Sequence, residues 1–261
     1  MKAGDVRPAA VAGLFYPGDA AALRGTVADL LARAPAPPPG APWPRALIAP
    51  HAGYVYSGPV AATAYRRTPP AHRVALLGPA HRVYLRGMAL PGARALATPL
   101  GVVEVDAAGA AAARALGVID APAAHADEHS LEVHLPFLQQ ILGDFTVIPI
   151  VVGDAPAPEV ARVIEALAAD DTVVVISSDL SHYLPYAAAV RRDRATADRI
   201  LALDQELAGD DACGCAPLNG LAQAARTLGW RPALLDLRNS GDTAGDTARV
   251  VGYAAFALEP A

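Results

Sequence analysis

Lysine is nearly absent from this chain of 261 residues: Lys2 stands alone, and arginine supplies the rest of the positive charge. Basic residues are outnumbered, 21 Lys and Arg against 26 Asp and Glu, for a net charge of −5. With no basic block to meet phosphates, neither nucleic acid nor an anionic membrane is expected as a partner. Cysteine is scarce too. Cys213 and Cys215 are separated by one residue, a spacing that strains a mutual disulfide and leaves no other intramolecular partner. Cysteine chemistry here is therefore metal ligation, thiolate reactivity or nothing. Long apolar runs are also lacking: the strongest, residues 145–153, falls far short of the ~18–20 residues that a membrane span requires. The opening "MKAGDVRPAAVAGLFYPGD" puts acidic residues and prolines where a signal peptide needs uninterrupted apolar sequence. A soluble, cytoplasmic protein is expected.

What the chain has in quantity is aliphatic sequence. Hydrophobic residues make up 53%, which excludes a disordered chain and suffices for a sizeable core. Short β-branched runs alternate with alanine-rich helical stretches, the pattern of an α/β domain. Strands are expected at 46–49, 74–78, 146–152, 172–177, 233–237 and 250–255. Helices are expected at 19–33, 59–66, 107–116, 130–142, 157–168, 185–207 and 217–228. Runs such as "VVVIS" are apolar without alternation, as in strands covered on both faces by helices. The proline-dense "APAPPPGAPWP", residues 34–44, reads as a stiff connector from the first helix to the first core strand. "RRDR" at 191–194 reads as a solvated helix face.

In open α/β sheets ligands bind beyond the carboxyl ends of strands, and three strand ends here share a pattern. "RALIAPH" ends in His51, "RVALLGPAH" in His81, and "TVVVISSDLSH" in Asp179 and His182. If the strands are parallel neighbours, these side chains meet in one cleft. His72, beside Arg73, and His125, in a polar loop, are expected to be structural. In "DEHSLEVHLPFLQ", residues 127–139, Glu128 and Glu132 lie four apart on an expected helix that Asp127 or Ser130 can cap, the alternative to a site role being a merely capped amphipathic helix kinked at Pro136. On it His129 and Glu132 form a polar pair that can face the cleft. HExxH is absent, which excludes the zinc-protease reading of this segment. In "DACGCAPLNG", residues 211–220, Cys213 precedes a helix whose dipole would favour the thiolate. "RNSGDTAGDTARVVGYAA" precedes a strand, whereas a phosphate loop follows one, so a nucleotide site is not expected there.

Two histidines plus one anionic residue with open positions suits non-haem Fe(II). His51 and His81 are the candidate nitrogen donors, and the anionic donor is Cys213 as thiolate or Asp179 as carboxylate. A thiolate shifts the preference toward Zn(II) or Cu(I). His182, held by Asp179, is a candidate acid or base.

With these residues in view, the chain resembles the Memo family, called AmmeMemoRadiSam system protein B in bacteria and archaea. The segments "VRPAAVAGLFYPGD", "APHAGYVYSGPVAATAY", "LLGPAH", "TPLGVVEVD", "DEHSLEVHLPFLQ", "ISSDLSHY", "CG" at 213–214 and "SGDTAGDTARVVGYAA" carry the resemblance in order. It implies a single Memo-like domain over 1–261, with a central, mostly parallel or mixed sheet flanked by helices, similar to class III extradiol dioxygenases. It also implies metal ligation by His51, His81 and Cys213, with Asp179 and His182 beside them and Tyr54 lining the pocket; the residue reading adds catalytic roles for Asp179 and His182 and places His129 and Glu132 at the substrate pocket. Cysteine stands where the dioxygenases place a glutamate, altering the charge, softness and bite of the third ligand. Metal binding, as Fe(II) or alternatively Cu or Zn, therefore carries over better than ring cleavage. Cys215 lies outside the family pattern. The expected function is a non-haem iron or copper redox protein or oxygenase-like enzyme acting on a small-molecule substrate. The alternatives are a binding module with a vestigial site, as the animal relatives' suggested recognition of phosphotyrosine peptides implies, and a cysteine hydrolase. The family name further implies radical-SAM and AMMECR-type pathway partners.

Overall fold

The β-branched runs become neighbouring strands. In a computed structural model, which describes residues 5–169 and 171–261, Gly101–Val105, Thr146–Val152, Arg73–Pro79, Thr172–Ser177 and Ala46–Ala49 lie side by side in that order, all parallel. Val250–Pro260 adds antiparallel to Ala46–Ala49, and Trp230–Asn239 pairs antiparallel with Val250–Pro260. The sheet is thus mixed, with a parallel centre.

Alternation along each strand feeds two separate cores. Leu47, Leu76, Val147, Val151, Val173 and Val175 face one side, with Leu23 and Val27 of the Ala20–Arg33 helix and Val60 of Tyr54–Tyr65. Ile48, Leu77, Ile148, Ile150, Val174 and Ile176 face the other, with Val160 and Ile164 of Ala157–Leu167, Ile200 of Tyr186–Leu201, and Leu218 and Leu221 of Cys215–Leu228. Leu76 and Leu77, adjacent in sequence, are both fully buried in opposite cores, each burial contributing about 1.5–3 kcal/mol. The result is a single α/β domain with helices on both faces of its sheet.

Several expectations are corrected. The helix read at 59–66 begins earlier, at Tyr54, with Pro59 inside it. The helix read at 130–142 is a 3-10 turn, Glu132–His134, followed by Leu135–Leu142. Pro136 sits in the first turn of that second helix and starts it rather than kinking it, since a first-turn N–H has no intrahelical acceptor to lose. The helix read at 185–207 stops at Leu201, where Arg226 donates to the exposed carbonyls of Ala202 and Leu203. Within "RRDR", Asp193 is buried and accepts from the Ser181 N–H at 3.0 Å. His125 is not in an open loop; it is buried in the short helix Pro122–Ala126, its Nε2 2.9 Å from the Ala89 carbonyl. No helix among the described residues is long and apolar enough to cross a membrane.

Candidate metal centre

Arg73–Pro79 and Ala46–Ala49 flank Thr172–Ser177 on its two sides, so the segments after all three strands emerge together at one end of the sheet. His51 and His81 leave the outer two; Ser177, Ser178 and Asp179 close the middle one. Their ring centroids place His51 5.1 Å from His81 and 5.5 Å from His129, while His81 and His129 stack at 4.9 Å. Cys213 arrives from the other direction, on the loop before the Cys215–Leu228 helix. Its Sγ lies 3.3 Å from His51 Nε2, and one ligand atom from each of His51, His81 and Cys213 falls within 4.8 Å of the others.

Each ring is oriented from behind. His51 Nδ1 lies 2.6 Å from Ser177 Oγ, and its backbone N–H donates to Asp179 Oδ1 at 2.8 Å. His81 Nδ1 lies 3.0 Å from Glu128 Oε1, and its backbone N–H donates to Glu128 Oε2. Metal-ligating histidines in general engage their second nitrogen in this way. A second grouping, His81, Glu128 and His129, has comparable spacing. Glu128 is already committed, accepting from the backbone N–H groups of His81, His129 and Ser130 as well as the His81 ring, so it orients His81 and has little left to offer an ion.

The electrostatics favour neutral donors. Burial, then the neighbouring imidazoles, pushes the His51 pKa well below the ordinary histidine value. Burial takes His129 down to about 4. Burial alone would raise Glu128, but its hydrogen bonds from His81 and Ser130 bring the carboxyl down to about 2. Asp179 is pushed up to about 7 by burial, against N–H bonds from His51 and Ala52. The thiol of Cys213 is also raised, by burial and then by the Asp179 charge. That reverses the expectation of a dipole-stabilised thiolate: in the metal-free protein desolvation outweighs the helix terminus, which begins at Cys215.

The structure brings His51, His81, His129, Asp179, His182 and Cys213 to one end of the sheet, and there separates their environments. Asp179 does not hold His182; its carboxylate serves the His51 backbone, and its own N–H donates to Cys213 Sγ at 3.3 Å. His182 is exposed on the wall of a cavity of about 670 Å³ that His51, His81, His129 and Asp179 also line. Tyr54 is not on that wall. It is buried, its hydroxyl donating to the Val133 carbonyl at 2.6 Å, and Phe15, Tyr56 and Tyr253 stand around the cavity instead. Glu132 is also outside the cleft. Fully buried, it pairs with Arg7 and accepts from the N–H groups of Ala10 and Val11 and the Tyr16 hydroxyl. It thereby straps down the segment that presents Phe15 to His129, 4.6 Å between centroids. Cys215 packs against the apolar core, away from the cluster. Another cavity of about 680 Å³ opens beside His72 and Thr146, near the amino ends of strands, and none of the candidate ligands lines it.

Sequence reasoning missed Ser177 and, behind it, His134, whose Nε2 lies 2.8 Å from Ser177 Oγ, and Tyr65, whose hydroxyl lies 2.6 Å from His134 Nδ1, and it saw Glu128 only as one of two glutamates four apart. A lone serine or tyrosine carries no positional signature, although Ser177 ends a strand that was itself legible.

Comparison with known proteins agrees over nearly the whole chain. The sequence profile of the family described as Memo-like protein matches residues 7–257. A MEMO1 family protein of Methanopyrus kandleri is 38% identical over 276 residues, covering 96% of this chain and 98% of the relative. One from Aquifex aeolicus is 38% identical over 264 residues, covering 95% and 97%. Among solved structures, an uncharacterized protein from Escherichia coli K12 superposes with a TM-score of 0.53 at 15% identity, covering 79% of this chain and 98% of that one. That likeness concerns the fold alone.

Proposed function

The chain belongs to the Memo-like protein family, and from that premise we propose that it binds a redox-active metal through His51, His81 and Cys213 and acts as an oxygenase-like or redox enzyme. The observation that carries this reading is the convergence of two imidazoles and one thiol, ligand atoms within 4.8 Å, each ring anchored through a nitrogen by a buried partner. Such a donor set suits Fe(II), with Cu or Zn as the alternatives that a sulfur ligand favours. When bound, the metal supplies Lewis acidity or one-electron chemistry next to the cavity.

The chain's own residues do the rest. Cys213 would hold the metal as a thiolate, and the Asp179 N–H already aimed at the sulfur would stabilise that charge. Desolvation on the cavity wall lowers the His182 pKa, which favours the neutral ring that can accept a proton from a ligand in the cavity. Asp179 acts on position, holding the turn at His51. Phe15, Tyr56 and Tyr253 give the cavity apolar walls, and its volume is in the range that takes a small molecule.

One observation favours a cysteine hydrolase instead: the 3.3 Å approach of Cys213 Sγ to His51 Nε2 resembles a nucleophile and its base. Burial opposes it, because it disfavours both the thiolate and the imidazolium. Anaerobic purification with Fe(II), metal analysis and spectroscopy with nitric oxide as an O₂ substitute test the proposal. Stoichiometric iron is expected, lost in His51→Ala and His81→Ala, with Fe(II) blocking alkylation of Cys213. A well-folded wild-type protein that takes up no metal sinks it, leaving the hydrolase or a binding module.

A further inference from the structure

Behind His51 lies a chain of buried hydrogen bonds that admits one assignment of its protons. Ser177 Oγ has three neighbours: the Ser130 carbonyl oxygen at 2.6 Å, His51 Nδ1 at 2.6 Å and His134 Nε2 at 2.8 Å. A hydroxyl has one proton to give and lone pairs for two donors. The carbonyl can only accept, so Ser177 donates to Ser130 and receives N–H bonds from both imidazoles. His134 is fully buried and neutral, so with its proton on Nε2 its Nδ1 must accept, and the Tyr65 hydroxyl stands 2.6 Å away to donate. If either ring were reversed, two lone pairs would face each other in a dry interior, where nothing replaces the lost hydrogen bond.

We propose that Ser177, its hydroxyl committed to Ser130 and flanked by the Tyr65–His134 pair, is a positioning residue that fixes His51 as the Nδ1–H tautomer and so leaves the Nε2 lone pair pointing at Cys213. The consequence is preorganisation: the metal-free site already holds one ligand in its binding form and need not move a proton on that ring to accept an ion. This deepens the metal-site reading and rests on it for its purpose, but the tautomer itself is a property of the metal-free protein.

Multiple-bond ¹H–¹⁵N correlation spectra of metal-free protein labelled with ¹⁵N-histidine read the tautomers directly. The expected result is a single Nδ1–H form for His51 and a single Nε2–H form for His134. Ser177→Ala removes the acceptor, so His51 is expected to show the Nε2–H form, which can donate to Cys213 Sγ. Zn(II) affinity, measured by competition with a chromogenic chelator, is expected to fall tenfold to a hundredfold, the usual effect of removing a partner that orients a ligating histidine. A purely structural serine would lower stability without changing the tautomer. An Nε2–H tautomer at His51 in the wild type, or wild-type Zn(II) affinity in Ser177→Ala, overturns the inference. If Ser177→Ala does not fold, the wild-type spectrum decides alone. A wild-type protein that shows the Nδ1–H tautomer but binds no Zn(II) or Fe(II) refutes the proposed function and leaves the positioning of His51 standing.

Discussion

Gly214 decides how closely the third candidate ligand can approach. A Cβ added there would stand 2.7 Å from the Ser177 carbonyl oxygen and 2.7 Å from the Ser178 side chain. Its φ of −90° suits any residue, so the constraint is space alone. Gly214→Ala must lift the loop off the strand end, taking Cys213 with it and breaking the 3.0 Å bond from the Gly214 N–H to Ser178 Oγ. The expected outcome is a loss of about 1–3 kcal/mol in denaturant unfolding, as for overpacking generally, together with at least a tenfold weaker Zn(II) affinity by chelator competition. Unchanged affinity would show that Cys213 is not a ligand. At this scale sequence reading found what obeys a positional rule. His51, His81 and Asp179 each follow an apolar strand run, and Cys213 stands out because cysteine is rare. It misplaced Glu132 and Tyr54, whose polar atoms are spent inside the protein, because an isolated Glu or Tyr looks the same in a cleft as in a buried ion pair.

Strands were legible where they are apolar throughout. Ala46–Ala49, Thr146–Val152 and Thr172–Ser177 have the expected bounds, because strands covered on both faces must be continuously apolar. Ala95–Thr98 and the partly exposed Gly101–Val105 escaped notice, as did the two- or three-residue pieces Val6–Arg7, Met88–Leu90 and Ile119–Asp120. So did the means by which the N-terminal segment is held. Residues 7–16 owe their place chiefly to Arg7, which pairs with Glu132 and donates to the carbonyls of His125 and Glu128. Both partners of that pair are buried, and removing one leaves an uncompensated charge. Arg7→Ala is therefore expected to lose about 3–5 kcal/mol of stability in urea or guanidinium unfolding, with faster amide exchange at Ala10 and Val11. A loss below ~1 kcal/mol would mean that the strap is held by apolar packing instead.

Over the whole molecule, the two cores are opposite faces of the same strands, so neither can melt while the other persists. One cooperative transition is expected, and a ligand of the site stabilises all of it. Zn(II) at a hundred times its dissociation constant adds about 2.7 kcal/mol, or on the order of 5–10 °C in Tm for a chain of this size. Calorimetry should show that shift in the wild type and none in His51→Ala; an equal shift in both would place the ion elsewhere. The α/β class and the parallel centre were readable in advance, since alternating strands and helices leave few other arrangements. The route of the 211–214 loop was not, because it depends on contacts far apart in sequence, such as that of Gly214 with Ser178. That route has an evolutionary corollary. Two of the three candidate ligands are rooted in strand ends that also build the core, whereas the third hangs from a connection between helices and can be exchanged without rebuilding the sheet. On the proposed reading, exchanging that one loop residue would change which metal the site prefers while the imidazole pair stays in place.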